Sequence, residues 1–126
     1  MNKILVVGYG SIGKRHVKNL LEHSKYEILI LTKQKINNKK ETRVRYFDSL
    51  ANALKEKPEI GFITNETSYH IEIATKLAKR NMHLFIEKPL SNSIKNIQKL
   101  QEIIKKQKLI TQMGCNWRFH PCIKKI

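Results

Sequence analysis

Apolar residues along this chain cluster in short runs, separated by stretches in which they recur every three or four positions. The runs lie in Lys3–Val7, Glu27–Leu31, Val44–Phe47, Glu59–Thr64, Met82–Ile86 and Lys108–Met113, each of strand length. The intervening stretches read as amphipathic helices. From Ile12 to Glu22, the side chains of His16, Val17, Leu20 and Leu21 fall near one face. Asp48 or Ser49 can cap a second helix that turns Leu50, Ala53 and Leu54 inward. That helix ends near Pro58, because a residue before proline is biased out of the helical region. Thr67 or Ser68 caps a third, with Ile71, Ala74, Leu77 and Ala78 inward, and Ser93 a fourth, with Ile94, Ile97, Leu100, Ile103 and Ile104 inward. Strands alternating with helices predict an α/β fold of the Rossmann type. The sheet is doubly wound and mostly parallel, with about six strands, helices on both faces and right-handed crossovers.

At 126 residues the chain has the length of one domain and enough sequence to bury a real core. Its apolar content is ordinary and it carries no low-complexity tract. No apolar run approaches the roughly twenty residues that span a bilayer. Met1 leads almost directly into the first strand and leaves no room for a secretory signal, so a cytoplasmic location is expected. The net charge of +15 would suit a polyanion such as nucleic acid. The lysines, however, are scattered over helices and loops without interleaved aromatics, and Lys, Ile and Asn are abundant together. The charge therefore reads as compositional, and nucleic acid is not the expected partner. Cys115 and Cys122 fit neither a C-x-x-C pair nor a zinc knuckle, and the histidines lack metal-binding spacing, so no metal is expected.

Chemistry concentrates where strands end. Gly8–Tyr9–Gly10–Ser11–Ile12–Gly13 follows the first strand at once and opens the first helix. In a strand-turn-helix that binds a dinucleotide, the first glycine permits the tight turn and the second lets the backbone approach a pyrophosphate. The third lets helix and strand pack closely. The N–H groups and the helix dipole then face the phosphates. After the second strand, the acid that would hold a ribose 2′-hydroxyl is absent, and Thr32–Lys33–Gln34–Lys35 stands there instead. A hydroxyl with neighbouring lysines would accept a 2′-phosphate, which favours NADP(H) over NAD(H). The fourth strand ends in the polar loop Thr64–Asn65–Glu66–Thr67–Ser68, with His70 in the first turn of the next helix. The fifth runs into Glu87–Lys88–Pro89, a rigid charged corner whose lysine can assist proton transfer.

Together with Asn116–Trp117–Arg118–Phe119–His120–Pro121, these motifs resemble the glucose–fructose oxidoreductase / inositol dehydrogenase / MocA (Gfo/Idh/MocA) family. They occur in that family's order and spacing, and Glu87–Lys88–Pro89 is the most specific of them. The resemblance implies an NAD(P)-dependent oxidoreductase acting on a sugar, a sugar derivative or a polyol. It implies that Lys88 orients substrate and assists proton movement, with a typically cis bond to Pro89, while Glu87 and Pro89 shape the nicotinamide pocket. Thr64, Asn65, Thr67 and His70 would line the cofactor, and Asn116 and Arg118 would sit near the nicotinamide. Two departures stand out: Thr32 replaces the usual acid, and family members are much longer. The expected organisation is a cofactor-binding domain over residues 1–115, with 116–126 starting the connection to an absent domain. That domain would supply most of the substrate pocket and any oligomer interface. The piece is then expected to be inactive alone; a free-standing NAD(P)-binding module or sensor is the alternative.

Overall fold

The structure, a computed structural model, describes residues 2–37 and 40–114. In chain order the elements are β1 (Lys3–Val7), α1 (Ser11–His23), β2 (Glu27–Leu31), β3 (Val44–Phe47), α2 (Leu50–Lys55), β4 (Ile60–Ile63), α3 (His70–Ala78), β5 (His83–Glu87), α4 (Ile97–Gln107) and β6 (Thr111–Gly114). All six strands are parallel, in the order β3-β2-β1-β4-β5-β6. This is the doubly wound arrangement that the alternating pattern predicts.

The period-two alternation of each strand sends neighbouring residues to opposite faces, and in the central strands both faces are covered. Ile4, Val6, Ile28 and Ile30 pack with Val17 on α1, helped by Leu20 and Leu21. Leu5, Val7, Leu29, Ile63, Leu84 and Ile86 pack on the other face with Ala53 of α2, Ile71, Ala74 and Leu77 of α3, and Leu100 of α4. Among the described residues, no helix is long and apolar enough to cross a membrane.

Three local expectations are corrected. Thr67–Tyr69 forms a tight 3-10 turn before α3, so neither Thr67 nor Ser68 caps that helix. The fourth helix begins at Ile97 after Asn96, not at Ser93. There Ser91 Oγ accepts from the Ser93 N–H and Ser93 Oγ from the Lys95 N–H. Such local side-chain turns compete with helix and delay its start. Ile94 is left 91% exposed instead of facing inward. Of the two candidates at the second helix, Ser49 is the cap, accepting from the Asn52 N–H.

Candidate functional site

Strand order reverses between β1 and its two neighbours, β2 on one side and β4 on the other. Crossovers leave in opposite directions there, so a crevice opens at the carboxyl ends of these strands. A cleft of about 990 Å³ occupies it. Its walls are the turn after β1 (Val7 to Gly10), the end of β2 (Leu31 to Gln34), the entry to α2 (Asp48 and Leu50), and the loop after β4 (Thr64 to Glu66), with Tyr69 and Ile73.

The glycine turn is a packed knot. Gly8 has φ of +96°, and its N–H donates to Leu31 O at 3.0 Å. A Cβ on Gly8 would stand 2.8 Å from Asn65 N, so both the conformation and the space require glycine. A Cβ on Gly13 would drive into Gly8 O and come within 3.0 Å of Thr64 Oγ1. The Thr64 hydroxyl is directed at Val7 O (2.9 Å) and Gly8 O (3.1 Å), which fastens the β4 loop to the turn.

Gly10 differs. Nothing lies within 4 Å of the point its Cβ would occupy, so the backbone there borders open space. Gly10 is also the residue before α1, which starts with no side-chain cap and no acidic residue in its first turn. The first N–H groups of a helix have no partner within the helix, and the helix dipole adds partial positive charge. Ser11, Ile12 and Gly13 carry that uncapped end. Tyr9 beside it is edge-on to Tyr46 at 5.9 Å, with Lys14 Nζ 5.4 Å from the Tyr9 ring centre. Burial, then the Tyr9 hydroxyl, push the Tyr46 phenol up to about 12.

At the end of β2, Thr32 donates its N–H to Phe47 O and accepts at Oγ1 from the Gln34 N–H. Gln34 Nε2 then donates to Tyr9 O, so this segment folds back onto the glycine turn. Thr32 and Lys33 both line the cleft. So does Asp48, which sequence reasoning considered only as a helix cap. Parallel pairing of Leu31 with Phe47 carries the chain past β3 on the same side, bringing an acid to the wall where β2 supplies none. The signal available in the sequence was an acid directly after the third strand's run, at Asp48.

His70 is corrected from a lining residue to a buried link. It is 1% exposed, with Nε2 2.8 Å from Asn65 O and Nδ1 3.0 Å from Pro89 O. Asn65 itself lines the cleft, and its Oδ1 is buried with no hydrogen-bond partner among the described residues. Thr67 lies in the 3-10 turn, outside the cleft wall.

Glu87 ends β5, and the Lys88–Pro89 bond is cis. Glu87 Oε1 lies 2.6 Å from His16 Nε2, a pairing absent from the sequence-based site. Lys88 and Pro89 are exposed and stand apart from the cleft lining. The structure thus gathers Gly8, Tyr9, Gly10, Thr32, Lys33, Thr64 and Asn65 in one crevice. The Glu87–Pro89 corner stands at the neighbouring strand end, joined to it through His70. Asn116 and Arg118 lie outside the described residues.

Comparison with known proteins agrees with this geometry. The family model GFO_IDH_MocA, described as “Oxidoreductase family, NAD-binding Rossmann fold”, matches residues 2–115. An uncharacterized oxidoreductase, YrbE, of Bacillus subtilis is 30% identical over 96% of this chain and 37% of its own length. Myo-inositol 2-dehydrogenase of Thermotoga maritima is 30% identical over 98% of this chain and 39% of its own. The crystal structure of a dehydrogenase, MviM, from Clostridium difficile superposes with a TM-score of 0.82 at 28% identity, covering 99% of this chain and 43% of that one. The chain therefore spans roughly two fifths of the length of these relatives.

Proposed function

The chain belongs to the Gfo/Idh/MocA oxidoreductase family, and from that premise we propose that it is the cofactor-holding half of a dehydrogenase for a sugar or polyol. The observation that carries this reading is the uncapped start of α1 beside open space at Gly10, facing a cleft of about 990 Å³. These features suit an anionic dinucleotide, and the unpartnered Asn65 Oδ1 adds an acceptor for one of its hydroxyl or amide donors.

In this proposal the main chain from Gly8 to Gly13 holds the diphosphate, and Thr64 and Asn65 wall the dinucleotide's other side. When bound, the nicotinamide supplies the site that accepts or donates hydride. Lys88 orients the substrate hydroxyl and, as the neutral amine, takes up its proton when the alcohol is oxidised; the ammonium so formed returns it in the reverse direction. Glu87 and Pro89 shape the corner from which Lys88 works, and Asn116 and Arg118 are assigned to the nicotinamide side by family resemblance. The sugar or polyol class is carried over from the myo-inositol dehydrogenase relative.

For the cofactor itself we propose NADP(H), from the Thr32 hydroxyl and the Lys33 ammonium on the cleft wall. Asp48 on the same wall favours the second reading, NAD(H), because a carboxylate accepts from a 2′-hydroxyl and repels a 2′-phosphate. Dissociation constants for NADPH and NADH decide between them, and tighter NADH binding overturns the first. The substrate pocket is assigned to sequence that relatives have beyond this span, so the 126-residue chain binds cofactor weakly and turns over essentially nothing. Absorbance assays with polyols and NAD(P)+ test this, and robust dehydrogenase activity contradicts it.

A further inference from the structure

His16 and Glu87 are 71 residues apart, yet their side chains meet at 2.6 Å, and they are only 17% and 13% exposed. An ionised carboxylate only accepts, so His16 Nε2 carries the proton in this contact. Much of the surroundings is aromatic. The imidazole lies edge-on to Phe62 (5.5 Å) and Phe85 (5.0 Å), and these two rings stack on each other at 4.8 Å. On the far side, Glu87 pairs in register with Gly114, where a Cβ would come within 2.9 Å of the carboxylate carbon and both oxygens. Aromatic rings and a bare backbone thus hold the carboxylate against α1, where low polarity strengthens the hydrogen bond. The next residue along is Lys88. It is exposed, and it makes no ion pair with Glu87 among the described residues.

We propose that His16 is a positioning residue for Lys88. By binding Glu87 on the α1 side of the sheet, it keeps the nearest carboxylate off the Lys88 ammonium and pins the strand end on which Lys88 stands. A lysine paired with a carboxylate holds its proton more firmly and is a poorer partner for a substrate hydroxyl. His16 follows Gly13 by one helical turn, so the helix that opens the phosphate cradle also arranges the proton-transfer corner. The catalytic purpose of this device rests on the function proposed above; the sequestering of Glu87 does not.

The test is trace acetylation of the nucleotide-free full chain, with mass spectrometry reading Lys88 against exposed Lys105 as the internal reference. Glu87→Gln is expected to leave Lys88 labelling within about twofold of wild type, because Glu87 is already occupied elsewhere. His16→Phe keeps an aromatic ring against Phe62 and Phe85 but removes the donor, and is expected to slow Lys88 labelling by about threefold or more. Adding Glu87→Gln to His16→Phe restores it. Faster Lys88 labelling in Glu87→Gln alone, or unchanged labelling in a folded His16→Phe, overturns the proposal. The Glu87→Gln arm remains decisive should His16→Phe fail to fold. No step uses a dinucleotide, so a failure of the proposed function, seen as absent cofactor binding, is distinguishable from a failure of this inference.

Discussion

The imidazole of His70 lies 3.0 Å from the carbonyl oxygen of Pro89, nineteen residues further along, and is almost wholly buried. Its other nitrogen faces Asn65 O, so one ring ties the corner after β5 to the loop that walls the cleft. A neutral imidazole donates through one nitrogen, so His70→Leu would strip the Asn65 or the Pro89 carbonyl of its donor and remove the ring that lies between them. The expected cost is about 2–4 kcal/mol, read from urea denaturation, with weaker dinucleotide binding as Asn65 loses its anchor. A loss below about 1 kcal/mol would show that the ring does not hold these segments together.

Gly10 and Gly13 should respond in opposite ways to the same change. Gly13→Ala forces a methyl group into the Gly8 carbonyl and is expected to destabilise the fold by about 2 kcal/mol or more. Gly10→Ala meets no protein atom and should leave the unfolding midpoint nearly unchanged. It should nonetheless weaken NADPH binding by about tenfold or more, because the methyl group occupies the space assigned to phosphate. Denaturation and binding titrations on both variants separate packing from recognition.

Cofactor choice should follow charge at the end of β2. Lys33→Glu is expected to weaken NADPH binding by about tenfold while changing NADH affinity little. Asp48→Asn should shift preference further towards NADPH, since it removes a carboxylate from the same wall. Equal affinity for both dinucleotides in wild type and both variants would sink the assignment.

The opposite end of the sheet carries an ion-pair network that should make a small contribution to acid stability. Glu56 accepts from Arg45 (2.8 and 3.0 Å) and from Lys3 (3.1 Å), and these bonds, Arg45 first, hold its carboxyl down at about 2 from the ordinary 4.5. The group's pKa is lowered in the folded state, so between these values the unfolded chain binds more protons. The contribution is therefore full above about pH 4.5 and lost as pH falls towards about 2. Urea midpoints should drop across that window in wild type, and Glu56→Gln should flatten this part of the profile. An identical acid limb in the variant would show that the network contributes nothing measurable.

Much of the fold was legible because the strands of a parallel sheet leave short, mostly apolar runs. The bounds of β1, β2 and β3 fall where polarity changes at Lys3 and Val7, at Glu27 and Leu31, and at Val44 and Phe47. The start of α4 was not, since the Ser91 and Ser93 hydroxyls are spent on their own local turns, and a sequence pattern cannot distinguish a capping serine from one that competes with the helix. At the site, residues set by backbone need, such as Gly8, were readable. Residues defined by a partner far along the chain were not. His16 was visible as a polar residue on an apolar helix face, but its pairing with Glu87 depends on how α1 lies across the sheet. Likewise, a lining histidine and a buried link look the same in sequence, and only the carbonyls of Asn65 and Pro89 around His70 tell them apart.

The most direct measurement is a fluorescence or calorimetric titration of the 126-residue chain with NADPH, run beside its Gly10→Ala variant. Weak but saturable one-to-one binding by the wild type is expected, weakened by about tenfold or more in an equally stable variant. Absence of binding by the wild type, or equal binding by both, would contradict that expectation.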